Sequence, residues 1–184
     1  MNNAGIVTGK SFLNAPDSLV TKTMDVNVNS HFWAVKNFLP GMLERNHGHI
    51  VTVASAAGLF GGPILVDYCA SKFAAVGFTE SLRSELSISG KTGVRTTLVC
   101  PYVINTGMFQ GAKTRFPKLL DLLEPENVAQ KIFEAILTNQ DLLLLPRALY
   151  LFYYLRGVLP VFVRSKIEVF MGVNQAMDDF TGRS

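Results

Sequence analysis

Apolar residues follow two different patterns along this chain, and together they lay out alternating helices and strands. From Ser18 to Arg45 they recur at Val28, Phe32, Val35, Leu39 and Met42, in steps of four, three, four and three. That spacing predicts a helix with one buried stripe. Pro16 and Asp17 punctuate its start, Asn46 and Gly48 its stop, and Pro40 is expected to bend its later part. His49 to Ala54 shows almost no alternation, the pattern of a strand covered on both faces in a parallel sheet. A loop holding Gly58, Gly61, Gly62 and Pro63 leads to a second helix, Val66 to Ser89. On it, Ala70, Ala74 and Gly77 keep one face small enough for close packing against a neighbouring helix or subunit.

Val94 to Cys100 is a second β-rich run, closed by Pro101. Glu124-Pro125-Glu126 opens a helix through Leu137, with its acidic residues at the positive end of the dipole, and Asp141 to Leu145 reads as a last strand. Alternating helices and near-continuous apolar strands predict an α/β fold with a doubly wound parallel sheet. Gly107 to Leu123 is loop-rich, and its Phe109 and Phe116 suit either a cover over an apolar substrate or ordinary packing. The final stretch, ALYLFYYLRGVLPVFVRSKIEVFMG, is aromatic and aliphatic but interrupted by Gly157, Pro160 and several cations, so it does not predict a transmembrane helix. Two readings fit it: an interfacial segment lying on a membrane, or a C-terminal helix closing a substrate pocket.

A length of 184 residues suits one domain, and 48% hydrophobic with 17% charged residues describes a packed globule. The net charge of +3 is carried by Leu142 to Val173, where Arg147, Arg156, Arg164 and Lys166 face one carboxylate, Glu168. No basic run interleaved with aromatics occurs, which argues against a nucleic-acid partner. Cys69 and Cys100 stand in apolar contexts as packing residues and imply no disulfide framework. His31 and His47 lack a cluster of further ligand types, so no metal site is expected. No signal-peptide pattern is read at the start.

Candidate chemistry gathers at SAAGLFGGPILVDYCASK, Ser55 to Lys72. Tyr68 and Lys72 are four apart and share a helix face. A free tyrosine titrates near pH ~10, and a neighbouring ammonium is expected to lower that value until the phenol can exchange a proton with an alcohol. Ser55, thirteen residues earlier at a strand end, offers a hydroxyl to the same substrate oxygen. Tyr-x-x-x-Lys alone is common as a solvated pair; the serine, its spacing and the upstream Asn27 make the pattern specific.

These residues resemble the short-chain dehydrogenase/reductase family, whose Ser, Tyr-x-x-x-Lys and upstream Asn form the site of a nicotinamide-dependent oxidoreductase. The resemblance implies Ser55, Tyr68, Lys72 and Asn27 as catalytic residues, with Asn27 holding a water linked to the lysine. Tyr68 and Lys72 would also meet the cofactor. Asn2, Ala4 and Gly5 match the family's Asn-Asn-Ala-Gly at the end of its fourth strand, on the adenine side of the cofactor. Pro101, Val103 and Thr106 stand where the family holds the nicotinamide carboxamide, with Tyr102 in place of the usual glycine. The implied cofactor is NAD or NADP, with NAD favoured by the subfamily, and the implied assembly is a homodimer through the two long helices.

The family's Thr-Gly-x-x-x-Gly-x-Gly turn is not found in this chain. The resemblance therefore implies a Rossmann-like sheet that is incomplete. Its first three strands and Gly-rich turn, on the order of 100 residues at roughly 30 per βαβ unit, would precede Met1. Residues 1–141 are then the C-terminal portion of such a domain, and 142–184 its last strand plus a hydrophobic C-terminal segment with possible membrane association. A sheet starting there would expose an unpaired edge. ERNHGHIVTVASAAG, DYCASKFAAVGFTESL and the apolar tail resemble the membrane-associated retinol and hydroxysteroid dehydrogenases, of the epidermal retinol type. That subfamily implies a lipophilic alcohol and carbonyl pair, retinol and retinal or a hydroxysteroid, at the endoplasmic reticulum membrane or a lipid droplet. A truncated, non-catalytic form acting through dimerisation or membrane association is the alternative.

Overall fold

The computed structural model of the chain describes residues 1–181. Its helices are α1 (Asp17–Met24), α2 (Ser30–Glu44), α3 (Val66–Ile88), α4 (Pro125–Leu137), α5 (Ala148–Val158) and α6 (Val161–Phe170). The strands β1 (Gly48–Val53), β2 (Val94–Pro101) and β3 (Leu142–Leu145) form a parallel sheet in that order. Val53 lies opposite Val99, and Pro101 opposite Leu145. On the outer side of β1, Asn2 donates its N–H to the Val51 carbonyl at 2.7 Å and accepts from the Val53 N–H at 2.8 Å. The segment after Met1 therefore pairs with β1 in parallel, through a single bridge.

Alternate strand residues serve different layers. Ala54, Leu98, Cys100 and Leu144 pack with Ala75 and Val76 of α3 and Leu149 of α5. Val51, Val53, Val99, Leu143 and Leu145 pack with Val128 and Ala135 of α4. Both strand faces are covered, which is why the strands read as unbroken apolar runs. Because β3 is bonded to β2 and Leu149 joins the same core, residues on either side of position 141 share one sheet.

The first long helix departs from the expected single stripe. A π turn, Asp25–Asn29, joins α1 to α2. It lengthens the bonding step from four residues to five and so rotates the faces that follow. Val28 and Val35 are buried as expected, but His31 takes the inward place and Phe32 is 41% exposed. Phe32 instead meets Phe78 of α3 edge-on, with ring centroids 4.6 Å apart. The helix continues through Pro40 to Glu44.

Past β3, the apolar tail folds as α5 and α6, parted at Leu159 and Pro160. Among the described residues, no helix is long and apolar enough to cross a membrane. Leu149 is buried in the core, whereas Leu151, Tyr154, Val158 and Phe162 stay exposed. The chain then returns over the 109–113 loop, where Lys113 ion-pairs with Asp179. The ring of Phe180 docks on Gly9, where a Cβ would lie 2.0 Å from it and φ is +62°. Only glycine suits that position.

Candidate active site

Each motif residue is placed by a short stretch of chain. β1 ends at Val53, and Ser55 follows in extended backbone ahead of the turn Ala56–Gly58, its Oγ accepting the Ala57 N–H at 3.1 Å. That turn lies directly on α3, since a Cβ at Gly58 would come 2.6 Å from the Lys72 carbonyl. The first turns of α3 then carry Tyr68 and Lys72 on one buried face, each 4% exposed. Lys72 Nζ lies 5.7 Å from the centre of the Tyr68 ring and donates to the Val53 carbonyl at 3.2 Å.

The electrostatics differ from the expected picture. Burial pushes the Tyr68 phenol up to about 12, and the Ser55 hydroxyl pulls it the other way. Burial also lowers Lys72 to about 8. The ammonium lies against the ring and is itself penalised by desolvation, so it does not depress the tyrosine as the spacing suggested.

Asn27 sits in the π turn, fully buried. Its Oδ1 accepts the Ile6 N–H at 2.8 Å, and its Nδ2 donates to the Ile6 carbonyl and to Ser71 Oγ, both at 2.9 Å. Ser71 in turn donates to the Tyr68 carbonyl at 2.7 Å. The asparagine thus ties the Asn-Asn-Ala-Gly segment to α3 between Tyr68 and Lys72. Replacing Asn27 by alanine strands both Ile6 groups and is expected to cost about 3 kcal/mol, read by chemical denaturation.

One turn further on, His31 is 1% exposed, with no protein partner for either ring nitrogen among the described residues. Burial, and then the charge of Lys72, lower it to about 4 from 6.5. The unfolded chain therefore binds more protons than the folded one between those values. Stability is lost as pH falls through that window, by at most about 3 kcal/mol. His31→Phe is expected to flatten this part of a stability profile against pH.

In front of Ser55 and Tyr68 opens a cavity of about 190 Å³. Tyr102, Phe109 and Leu120 line it, together with Phe152 and Leu155 of α5 and Ile167 of α6. The Tyr68 and Phe109 rings meet edge-on at 5.4 Å. Cys69 also lines the cavity, its thiol raised by burial, which suits packing and not nucleophilic chemistry. The position outside the carboxyl ends of β1 and β2 is where open α/β sheets take their ligands.

The residues present fit one side of a nicotinamide dinucleotide. Lys72 spends one of its three donors on Val53, and the buried Asn2 Nδ2 has no partner among the described residues. Gly5 lies beside them: a Cβ there would be 3.5 Å from Lys72 Nζ and 3.7 Å from Asn27 Oδ1. Ala4 is exposed, Pro101 is buried in β2, and Val103 is on the cavity wall. Thr106 is exposed and off that wall.

Sequence reasoning overlooked Ser71 and Met177. A serine within a helix carries no periodic signal of its bond to Asn27. Met177, buried against Leu65, Tyr68 and Cys69, comes from an irregular segment with no pattern to read.

Comparison with known proteins agrees with this geometry. The family model described as short chain dehydrogenase matches residues 1–115. Epidermal retinol dehydrogenase 2 of Mus musculus is 48% identical over 183 residues, which is 100% of this chain and 59% of that protein. Retinol dehydrogenase 10 of Homo sapiens is 46% identical over 182 residues, 98% of this chain and 53% of that protein. The chain thus spans little more than half the length of these relatives. A short chain dehydrogenase/reductase from Burkholderia phymatum, crystallised in complex with NAD, superposes with a TM-score of 0.71 at 27% identity, over 94% of this chain and 67% of its own. With the matched family model, the retinol dehydrogenase relatives and the shared fold in agreement, the chain belongs to the short chain dehydrogenase family.

Proposed function

We propose that this chain carries the catalytic part of an NAD(P)-dependent oxidoreductase that interconverts a lipophilic alcohol and its carbonyl. Retinol and retinal are the first candidates, and a hydroxysteroid is the alternative. The observation that carries this reading is that the hydroxyls of Ser55 and Tyr68 line a cavity walled mainly by aliphatic and aromatic side chains. Relatives with retinol dehydrogenase names at 46 to 48% identity support the substrate class. The NAD complex of the Burkholderia phymatum relative supports the cofactor type.

When bound, the nicotinamide accepts or returns the hydride. The chain's own residues do the rest. Ser55 Oγ holds the substrate oxygen, and Tyr68 takes the hydroxyl proton as the carbinol carbon gives up its hydride. Lys72, with two donors beyond the Val53 bond, would hold the nicotinamide ribose. Bound oxygens there would favour its ammonium form, and that charge in turn would make the phenolate easier to reach. Asn27 fixes Ile6 and Ser71 around this pair and would carry a relay water from within the π turn, where the helical ladder is interrupted. Val103, and Thr106 after a rearrangement of its loop, would meet the carboxamide.

The test is turnover. Purified chain with NAD or NADP and all-trans-retinol is expected to form reduced nicotinamide, with a hydroxysteroid assayed alongside. A folded chain that turns over neither alcohol overturns the reading.

A second reading is favoured by exposed apolar surface. Phe32, Trp33 and Phe38 lie exposed on α2, and Ala70 and Gly77 on α3, a face suited to a homodimer or to pairing with a longer relative. Leu151, Tyr154, Val158 and Phe162, near Arg147 and Lys166, suit a membrane or lipid-droplet surface. Sedimentation with and without anionic phospholipid vesicles reads both. A monomer that stays unbound speaks against each.

A further inference from the structure

We propose that residues 172–181 form a strap over the cavity that must lift for a substrate to pass, with Phe180 as its latch. The inference rests on the cavity being a lipophilic-alcohol site, and it says how such an alcohol enters and leaves.

Size sets the problem. A cavity of about 190 Å³ falls short of the ~300 to 1,000 Å³ of pockets that hold drug-sized ligands, so part of its wall has to give way. Much of the lining is fixed by the core: Ala56, Leu120 and Leu149 belong to the same buried cluster as Ala54, Ala75 and Cys100. Val173, Ala176 and Met177 line the cavity as well, and they come from the tail.

That tail is built to move as a unit. It leaves α6 at Gly172, whose φ of +76° lies in the left-handed region, and carries one short turn, Val173–Gln175. Its ties run to the 109–113 loop, which lines the cavity through Phe109, Ala112 and Lys113. The Lys113 N–H donates to the Ala176 carbonyl at 2.9 Å, the Thr181 N–H donates to the Gln110 carbonyl at 3.0 Å, and Lys113 ion-pairs with Asp179. Phe180 covers Gly9 and stands 6.2 Å from the Phe109 ring, which itself meets Tyr68. Met177, between these attachments in sequence, packs with Tyr68. Two backbone bonds, one ion pair between exposed side chains and one aromatic contact open at a fraction of the cost of unfolding. On lifting, the N–H and carbonyl groups find water, whereas the Phe180 ring loses its apolar seat, so the ring sets most of the resistance.

The experiment follows all-trans-retinol, by its own fluorescence in stopped flow, on the purified 184-residue chain. A ligand crosses the same strap in both directions. Phe180→Ala is therefore expected to raise the association and dissociation rates together, each about tenfold or more, and to leave Kd within about threefold. Gly111→Ala attacks another tie: φ there is +87° and a Cβ would lie 1.9 Å from the Asp179 carbonyl, so the same paired rise is expected. Circular dichroism confirms the fold of each variant. An unchanged association rate in both overturns the proposal, as does faster dissociation alone, which is what a fixed wall would give. Hydrogen exchange needs no variant. The amides of Lys113 and Thr181 are expected to exchange well ahead of Ala54, whose N–H bonds the Val99 carbonyl in the sheet, and equal protection overturns the strap. Retinol binding with unaltered rates leaves the lipophilic-alcohol reading standing and removes only the strap. A folded chain that binds neither retinol nor a hydroxysteroid defeats that reading, and this proposal with it.

Discussion

Tyr68→Phe is expected to lower turnover by about 10²- to 10⁴-fold, the usual contribution of a positioned proton-transfer group. The substitution removes one oxygen and little else. The ring keeps its edge-on contact with Phe109 and its place beside Leu65 and Met177, so the fold should stand. Lys72 and Asn2 are untouched, so NADH affinity should stay within about twofold if the tyrosine hydroxyl serves chemistry and not binding. Steady-state rates, paired with a fluorescence titration of NADH, separate the two effects. Turnover near the wild-type rate would remove Tyr68 from the mechanism.

Lys72→Met is expected to move stability and activity in opposite directions. The folded chain holds this lysine at about 8, down from an ordinary 10.5, so at neutral pH the buried ammonium costs at most about 3 kcal/mol. Methionine fills the same space without a charge. Its cost is the lost bond to the Val53 carbonyl, about 1 kcal/mol, which leaves a net gain of about 2 kcal/mol at pH 7. The sign follows from proton binding. Between pH 8 and 10.5 the unfolded chain binds more protons, so the wild type regains stability as pH rises through that window while the variant does not. Turnover and ribose binding should be lost in the same protein. Denaturation at pH 7 and pH 10 checks the stability half, and a variant less stable than the wild type at pH 7 would contradict it.

Much of this fold was legible because both patterns are local. The unbroken apolar runs at His49–Ala54 and Val94–Cys100 have their cause in the two packed layers that cover β1 and β2. The spacing of Tyr68 and Lys72 on one helix face likewise follows from helical geometry alone. What could not be read was set by tertiary contacts. The π turn at Asp25–Asn29 moved the inward position from Phe32 to His31, an insertion that a period of 3.6 does not register. The titration of Tyr68 was misjudged for a related reason: spacing brings the ammonium near the ring, but burial decides the phenol's pKa, and burial belongs to the whole core. The tail allowed two readings, of which the cavity wall built by α5 and α6 supports pocket closure. The exposed side of the same helices leaves the membrane reading to experiment.

The most direct test of the central claim, that Lys72 and its neighbours form the nicotinamide side of a cofactor site, is an equilibrium titration of the 184-residue chain with NADH followed by nicotinamide fluorescence. The account predicts saturable binding that survives Tyr68→Phe and is lost in Lys72→Met. A chain folded by circular dichroism that binds no NADH, or one that binds it equally well with methionine at position 72, would contradict it.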